Sequence, residues 1–504
     1  SVSPKKIDRC GCTRQLTMII LVLSTVVVTY SIYWLFFKRD KHLPPGPIGV
    51  PILGYVPFMS FTTPEVSLTA LKEKYGDMFT VAFGMQDVVV INEGKLLREV
   101  YSSAQSSAKY EKFNDSIFSE IGEPCGIFFT SGEKWKKMRR FCVRKLNDLG
   151  MTRRNFDDMI GVEVDKLLDR LDTMQHKPLN ITHVFMTPLL NILWNVVAGE
   201  KFSFEDPSVK VIHKEFLGYH EALFPLTFLT MMPKIFFWIC IPLQLFGYHH
   251  IVKTKKWFAE YIKKHHESSK TAGFPKNLLD EFIKDNVMET EADTKRETPF
   301  LLADLFSAAT DTSNSTMGFV IHCLITRQDI QDKIRQEIES QVGLSEKVLY
   351  DHATRLPYTM AFLSEVQRTA NITPMGTMHR LTGPLKVRGY VLPENTLVTA
   401  NFHAIHNDPN YWDHPDQFNP ERFLDDGRNY KENKDSFLPF SVGKRHCPGE
   451  EIAKAELFLL LTRMIQRFNV AEVRGRGLPK LERTLSLIVR PRSFEFCLER
   501  VKSA

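Results

Sequence analysis

Phe440-Ser441-Val442-Gly443-Lys444-Arg445-His446-Cys447-Pro448-Gly449 is the stretch on which the reading of this chain turns. One cysteine stands among two glycines, a proline and three cationic or potentially cationic side chains. Nearby positive charge lowers a thiol's pKa, and the thiolate is the form that ligates metal. Glycine lets backbone approach a flat ligand closely or take positive φ. Pro448, then Glu450, Glu451 and an apolar-periodic run through Ile452, Leu457 and Leu460, predict a helix starting just after the cysteine. Cys447 would then sit near a helix N-terminus, whose partial positive charge also favours the thiolate. For a lone cysteine the plain alternative is a turn carrying a buried side chain. The whole arrangement favours a metal ligand.

The 504 residues are 43% hydrophobic, ample for a large core, and no Gly/Ser-rich linker divides the middle. One large domain behind an anchor and three domains of about 150 residues each both fit that length. A net charge of +6, from 65 Lys+Arg and 59 Asp+Glu, is no nucleic-acid signature by itself. The cysteines, at 10, 12, 125, 142, 240, 323, 447 and 497, are scattered. No CxxC pair offers a zinc site, and the density is too low for a disulfide framework, so a mostly reduced, cytosol-facing body fits.

Residues 15–37 (QLTMIILVLSTVVVTYSIYWLFF) carry no charge. As a helix they would span roughly 34 Å, enough for a bilayer core of about 30 Å. Tyr30, Tyr33 and Trp34 fall toward one end, as interfacial aromatics do. A cleaved signal peptide is disfavoured, because the apolar run is long and Lys38-Arg39-Asp40-Lys41 follows it. Basic residues flank both ends, so the charge rule does not decide orientation. Residues 1–14 form a short flank. Residues 38–57, with Pro44, Pro45, Pro47, Pro51 and Pro57, end the helix and read as a semi-rigid linker before the body at 58–504.

Within that body, residues 78–92 hold two β-rich runs around Gly84, a predicted hairpin. Trp135 and Arg139 are i,i+4 neighbours on a basic helix that includes Lys136, Lys137, Arg140 and Arg144. Residues 223–246 are apolar but broken by Pro225, Pro233 and Pro242, which argues against a straight span. Thr298-Pro299 predicts the start of a long helix, an N-cap threonine with proline at the first helical position. That helix is apolar except for 308–316, where a Thr312 hydroxyl can bond the Ala308 carbonyl and open a polar notch. Glu365 and Arg368 lie at i,i+3 on another predicted helix and can pair. Residues 494–498 alternate as a strand. No GxGxxG fingerprint stands in a strand–helix context, so electrons for any redox chemistry must come from another protein.

The opening loop resembles the heme-ligand loop of the cytochrome P-450 superfamily, Phe-x-x-Gly-x-Arg-x-Cys-x-Gly, matched at Phe440, Gly443, Arg445, Cys447 and Gly449. Residues 308–313 resemble its oxygen-activation motif, with Ala309 in place of the usual glycine. Glu365, Arg368 and the Arg422 of Pro420-Glu421-Arg422-Phe423 match its buried structural network. The motifs stand in family order across residues 15–500, and the hinge looks most like the animal microsomal members that include drug and steroid hydroxylases. The resemblance implies a mainly α fold with small β-sheets behind a single N-terminal transmembrane helix, with 58–504 as the heme-thiolate domain. It implies heme b on the Cys447 thiolate, and O2 with NADPH-derived electrons as cosubstrates. Asp311 and Thr312 would form a proton route. Trp135, Arg139, His379 and Arg445 would hold the heme propionates, with Ala308, Phe440 and Gly449 also at the cofactor. Phe113, Phe128, Ala303, Phe306, Thr373, Met378 and Leu485 would line a pocket for a lipophilic substrate. The implied partners are NADPH–cytochrome P-450 reductase, cytochrome b5 and the bilayer, with no nucleic acid. The implied place is the endoplasmic reticulum membrane, the catalytic domain facing the cytosol, with residues 223–246 dipping into lipid beside Lys253, Lys255 and Lys256. A heme-thiolate isomerase or dehydratase acting on a lipid hydroperoxide, and a non-catalytic heme sensor, are the alternatives. Retention of Asp311-Thr312 favours the monooxygenase.

Overall fold

The computed structural model describes residues 18, 20–22, 24–26, 28–31, 34, 40–110, 125–149, 151, 153–269, 277–285, 287–288, 290–484 and 486–501. The principal helices are α1 Pro64–Tyr75, α2 Gly94–Ser102, α3 Gly132–Asp148, α4 Phe156–Asp172, α5 Met186–Ala198, α6 Pro207–Thr230, α7 Lys234–Cys240, α8 Tyr248–Ser269, α9 Glu291–Thr326, α10 Gln328–Gln341, α11 Pro357–Ala370 and α12 Glu450–Arg467. The strands are β1 Met78–Phe83, β2 Gln86–Ile91, β3 Ala108–Lys109, β4 Leu179–Asn180, β5 His379–Arg380, β6 Leu385–Val387, β7 Tyr390–Leu392, β8 Leu397–Ala400, β9 Phe468–Ala471, β10 Arg483–Thr484, β11 Arg490–Pro491 and β12 Glu495–Arg500. One sheet runs β1-β2-β8-β5-β3 and a second β4-β12-β9, with β6-β7 and β10-β11 as separate pairs. The predicted hairpin is the first antiparallel pair, in register from Met78↔Ile91 to Phe83↔Gln86.

The 36-residue α9 is the axis of the molecule and packs against α5, α8, α11 and α12. It starts earlier than the sequence signal at Thr298-Pro299 predicts. Thr290 is the N-cap, its hydroxyl accepting the Asp293 amide at 3.0 Å. Pro299 lies inside the helix, preceded by a Thr298 hydroxyl that donates to the Thr294 carbonyl at 2.6 Å. The last two turns of α9 enter the largest apolar cluster, where Val320 and Leu324 meet Phe362 and Val366 of α11 and Phe458 and Leu460 of α12. Each such side chain, fully buried, contributes about 1.5–3 kcal/mol. This core holds the lower part of α9 and the start of α12 in a fixed relation.

The proline-rich segment 38–57 is not a free linker along its described part. Thr80 donates its amide to the Pro45 carbonyl at 3.0 Å, and Tyr55 donates to the Ala82 carbonyl at 2.7 Å, so the segment lies along β1. The Trp34 indole donates to the Gly49 carbonyl at 3.1 Å. The described residues between 18 and 31 are helical and mostly exposed. The rest of 15–37, and all of 1–14, lie outside the described residues. Elsewhere, 181–198 is apolar and long enough to cross a membrane, yet most of it is buried as a core helix.

The apolar region 223–246 divides in two. Leu223, Leu226 and Leu229 of α6 are buried, so this half belongs to the core despite Pro225. On α7 and the turn after it, Ile235, Trp238, Ile239 and Leu243 are exposed, Trp238 by 76%.

Candidate functional site

The loop 440–449 packs under α3 and against α2. Gly443 takes φ +77, and an added Cβ would collide with the Tyr101 carbonyl, so this turn demands glycine. The Cys447 amide donates to the Phe440 carbonyl at 3.1 Å, closing the loop around the sulfur. A helix, α12, starts just after Cys447 as predicted, with Gly449 as its N-cap. Burial pushes the pKa of the Cys447 thiol up, outweighing the Gly449 backbone and Arg139, which pull it down. The neighbouring cations are otherwise engaged: His446 and Lys454 pair with Glu450 at 2.6 and 2.8 Å, and Lys444 is exposed. A coordinated metal ionises a thiol outright, so metal binding sets the ionisation of this sulfur.

Arg445 turns away from the sulfur. Its Nε donates to the Ser107 carbonyl at 2.8 Å and its guanidinium lies 3.8 Å from the centre of the Trp135 ring. Trp135 is buried on α3, and Arg139, one turn on, donates to the His446 carbonyl at 2.5 Å. His379 is buried, stacked on Tyr101 at 3.9 Å, with Nδ1–H donating to the Ser106 carbonyl at 2.7 Å. The β3–β5 pairing sets Lys109 directly opposite His379. Sequence reasoning missed Lys109, because only that pairing brings it to the group. Its ammonium is buried and donates to the Thr377 hydroxyl.

This cluster tests whether heme fits. Burial, then the charges of Arg445 and Arg139, hold the Lys109 pKa far below its ordinary value, and burial with Lys109 does the same to His379. Like charges converge on one edge of the site. Two carboxylates, as heme propionates supply, would relieve that repulsion and accept from these donors. The donor set of one cysteine sulfur and this cationic edge therefore fits heme.

On the opposite side, Ala308 is exposed, and Thr312 lines a cleft shared with Thr373 and Phe440. The Thr312 hydroxyl donates to the Ala308 carbonyl at 2.7 Å, as its spacing predicts. Asp311 faces elsewhere. His220 of α6 places Nδ1 2.7 Å from its carboxylate, Arg490 approaches to 3.6 Å, and the other ring nitrogen of His220 meets Ser307. Burial would raise the Asp311 pKa, but His220 and Arg490 hold it below the ordinary value. Neither His220 nor Arg490 is identifiable from sequence, since each meets Asp311 only through tertiary packing.

Of the other residues read as cavity lining, Phe128 and Met378 border an apolar cavity, with Phe83 and Phe228. Ala303 lines a smaller side cavity with Asp304. Phe306 does not line a cavity wall. It is buried in the core, stacked on Phe216 at 4.3 Å and edge-on to Trp194, because its face of α9 points at α5 and α6. Phe113 and Leu485 lie outside the described residues. Glu365 and Arg368 are fully buried and pair at 2.8 Å, with Arg422 at 3.1 Å from the same carboxylate. Arg368 also donates to the His406 carbonyl at 2.8 Å, tying α11 to the segment before the loop.

A family model described as cytochrome P450 matches residues 44–498. Cytochrome P450 2B19 of Mus musculus is 31% identical over 468 residues, covering 90% of this chain and 93% of the relative. Cytochrome P450 2J5 of Mus musculus is 29% identical over 490 residues, covering 95% of each. Cytochrome P450 2B2 of Rattus norvegicus is 32% identical over 449 residues, covering 86% of this chain and 89% of the relative.

Proposed function

The chain belongs to the cytochrome P450 family, as a monooxygenase of animal microsomal type that uses thiolate-ligated heme, and from that premise we propose the parts its residues play. Cys447 is the proximal ligand. Heme bound there supplies the oxygen activation, using O2 and NADPH-derived electrons, with thiolate ligation favouring O–O cleavage. Lys109, Trp135, Arg139, His379 and Arg445 hold the propionates. Thr312 presents its hydroxyl to the cleft while bonded to Ala308, and the Asp311–His220 pair behind it relays protons toward it through water. The apolar cavity bordered by Phe128 and Met378 takes a lipophilic substrate such as a steroid, fatty acid or foreign compound.

The observation that carries this reading is the convergence of Lys109, Arg139 and Arg445 beside the cysteine loop, whose Phe440 shares a cleft with Thr312. Its test is the carbon monoxide difference spectrum of the reduced protein. The thiolate-type band should appear and be lost in Cys447→His; a band retained in that variant would refute the ligand assignment.

We also assign the setting. Residues 15–37 anchor the chain in the endoplasmic reticulum membrane, and the exposed apolar side chains of α7 rest in lipid. Lys136, Lys137, Arg140 and Arg144 are exposed on α3, which also reaches the loop through Arg139. That basic face supports docking of an acidic electron donor, the NADPH–cytochrome P-450 reductase, with cytochrome b5 as a second donor. Reversing Lys137, Arg140 and Arg144 to glutamate should slow reduction several-fold at low salt without changing heme content. Unaltered reduction would exclude this face.

A further inference from the structure

The edge that carries Lys109 and His379 is backed by a residue of α2. Leu96, Leu97, Val100 and Tyr101 are the bulky buried side chains of that helix. They enter a core that is mostly aliphatic, with Leu381, Val398 and Val442 among its members. Such a core asks only for an aliphatic side chain at Tyr101, and a phenol brings a polar hydroxyl into it. Tyr101 is 2% exposed and meets the site twice. Its carbonyl lies against Gly443, where an added Cβ would stand 2.1 Å from it. Its ring lies face to face with the His379 imidazole, the centroids 3.9 Å apart and the planes 6° apart.

The rest of His379 is fixed by backbone. Strand β5 lies between β8 and β3, with His379 opposite Val398 on one side and Lys109 on the other. Nδ1–H donates to the Ser106 carbonyl at 2.7 Å, which leaves Nε2 as the nitrogen a propionate can take. With Nδ1 protonated, Nε2 donates only when the ring is an imidazolium. The stack bears on that state. Two neutral aromatic rings avoid a close face-to-face sandwich and keep their centroids about 4.5–7 Å apart, because like quadrupoles repel. A cation over the face of a phenol is attracted instead. Burial, then Lys109 and Arg445, oppose the charge on His379. A carboxylate at the same edge favours it, and the Tyr101 face adds to the carboxylate's side of that balance.

We propose that Tyr101 is a positioning residue for the cofactor edge: its ring holds the His379 imidazole in one plane and steadies the positive charge with which Nε2 meets a heme propionate. This rests on the reading of His379 as a propionate donor. Tyr101 acts through His379, and its ring face carries the effect while its hydroxyl does not. Loss of a cation at that edge favours the more positively charged ferric state, so the effect registers at the iron as well as in heme retention.

The test uses the heme-loaded full chain and the variants Tyr101→Phe, Tyr101→Leu, His379→Leu and the last two combined. Heme transfer to a competing globin is timed beside the ferric–ferrous midpoint potential. Tyr101→Leu and His379→Leu should each speed transfer about threefold to tenfold and lower the potential. The double variant should match His379→Leu alone, because the two side chains act as one unit. Tyr101→Phe keeps the ring, so its transfer should stay within about twofold and its potential should be that of the parent. Where Tyr101→Leu does not retain heme, pentafluorophenylalanine in place of Tyr101 carries the test. It fills the same space with the ring quadrupole reversed, and it should lower the potential relative to Tyr101→Phe. A potential unmoved in the leucine or the fluorinated variant would overturn the proposal even with faster transfer, since that pattern marks only a loosened contact at Gly443. Additive losses in the double variant, or Tyr101→Phe behaving like Tyr101→Leu, would overturn it as well. If His379→Leu moves neither measurement, the reading of His379 has failed and the proposal with it. If His379→Leu moves both while Tyr101→Leu moves neither, the proposal alone fails.

Discussion

Replacing Glu456 by glutamine should flatten the dependence of this protein's stability on pH between 6 and 9. Glu456 lies in α12, 2% exposed, with one oxygen accepting the Ser313 hydroxyl of α9 at 2.6 Å and the other unpartnered. Burial pushes its pKa from 4.5 up to about 8, against the Ser313 hydrogen bond. A folded-state pKa raised above the unfolded value means that the folded chain binds the proton more tightly. The resulting stability is fully present below pH 4.5 and is lost as pH rises through about 8. At about 1.4 kcal/mol per tenfold change in proton affinity, the whole effect is on the order of 5 kcal/mol, of which about 3 kcal/mol falls between pH 6 and 9. Glutamine is neutral throughout, fills the same volume and still accepts from Ser313. Asp304, whose pKa burial raises to about 7, adds a slope of the same sign to both proteins and cancels in the comparison. The assay is denaturant unfolding of the heme-loaded protein and the variant at several pH values across this window. Parallel slopes for the two proteins would mean that Glu456 is already ionised inside the fold, and the reasoning from burial would be wrong.

Arg368→Ala should lower stability by about 3–5 kcal/mol, because it strips one partner from a fully buried Glu365, and soluble heme-loaded yield is the readout. Lys109→Met should act in opposite directions on two measurements. The apoprotein should melt higher as the repulsion from Arg445 and Arg139 is relieved, while heme should transfer to a competing globin about ten- to a hundredfold faster for loss of a charge-assisted hydrogen bond. His220→Ala, Asp311→Asn and the double variant should all lower product formed per NADPH to about the same level, since they break one unit. Additive losses would place His220 outside the proton route.

What was legible in the sequence is what acts over short distances along the chain. The turn at Gly443, the helix start after Cys447, the Thr312–Ala308 bond and the Glu365–Arg368 pair all follow from local geometry. The start of α9 was misread because both Thr290 and Thr298 have cap chemistry, and proline is also tolerated further inside a helix when tertiary packing holds it. The partners of the cations beside Cys447 were not legible for a related reason. Charges adjacent in sequence to Cys447 do not point at its sulfur; they are spent on Glu450, on solvent and on the carbonyls of 107–130. Lys109, His220 and Asp304 were invisible because their partners lie far away in sequence, and Phe306 was misplaced because the face it occupies on α9 is fixed by its packing on α5, α6 and α8.

Residues 125–130 form a strap held on two sides, its amides by Glu297 and Asp304 of α9 and its carbonyls by Arg445, and all three anchors are translated long after the strap itself. A nascent chain that stops short of Arg445 has a cavity wall pinned on one side only. Contacts of such long sequence separation form late. The pocket is therefore among the last features to be completed, at the stage when the cysteine loop leaves the ribosome, and truncation near the C-terminus damages a wall built from residues near the start.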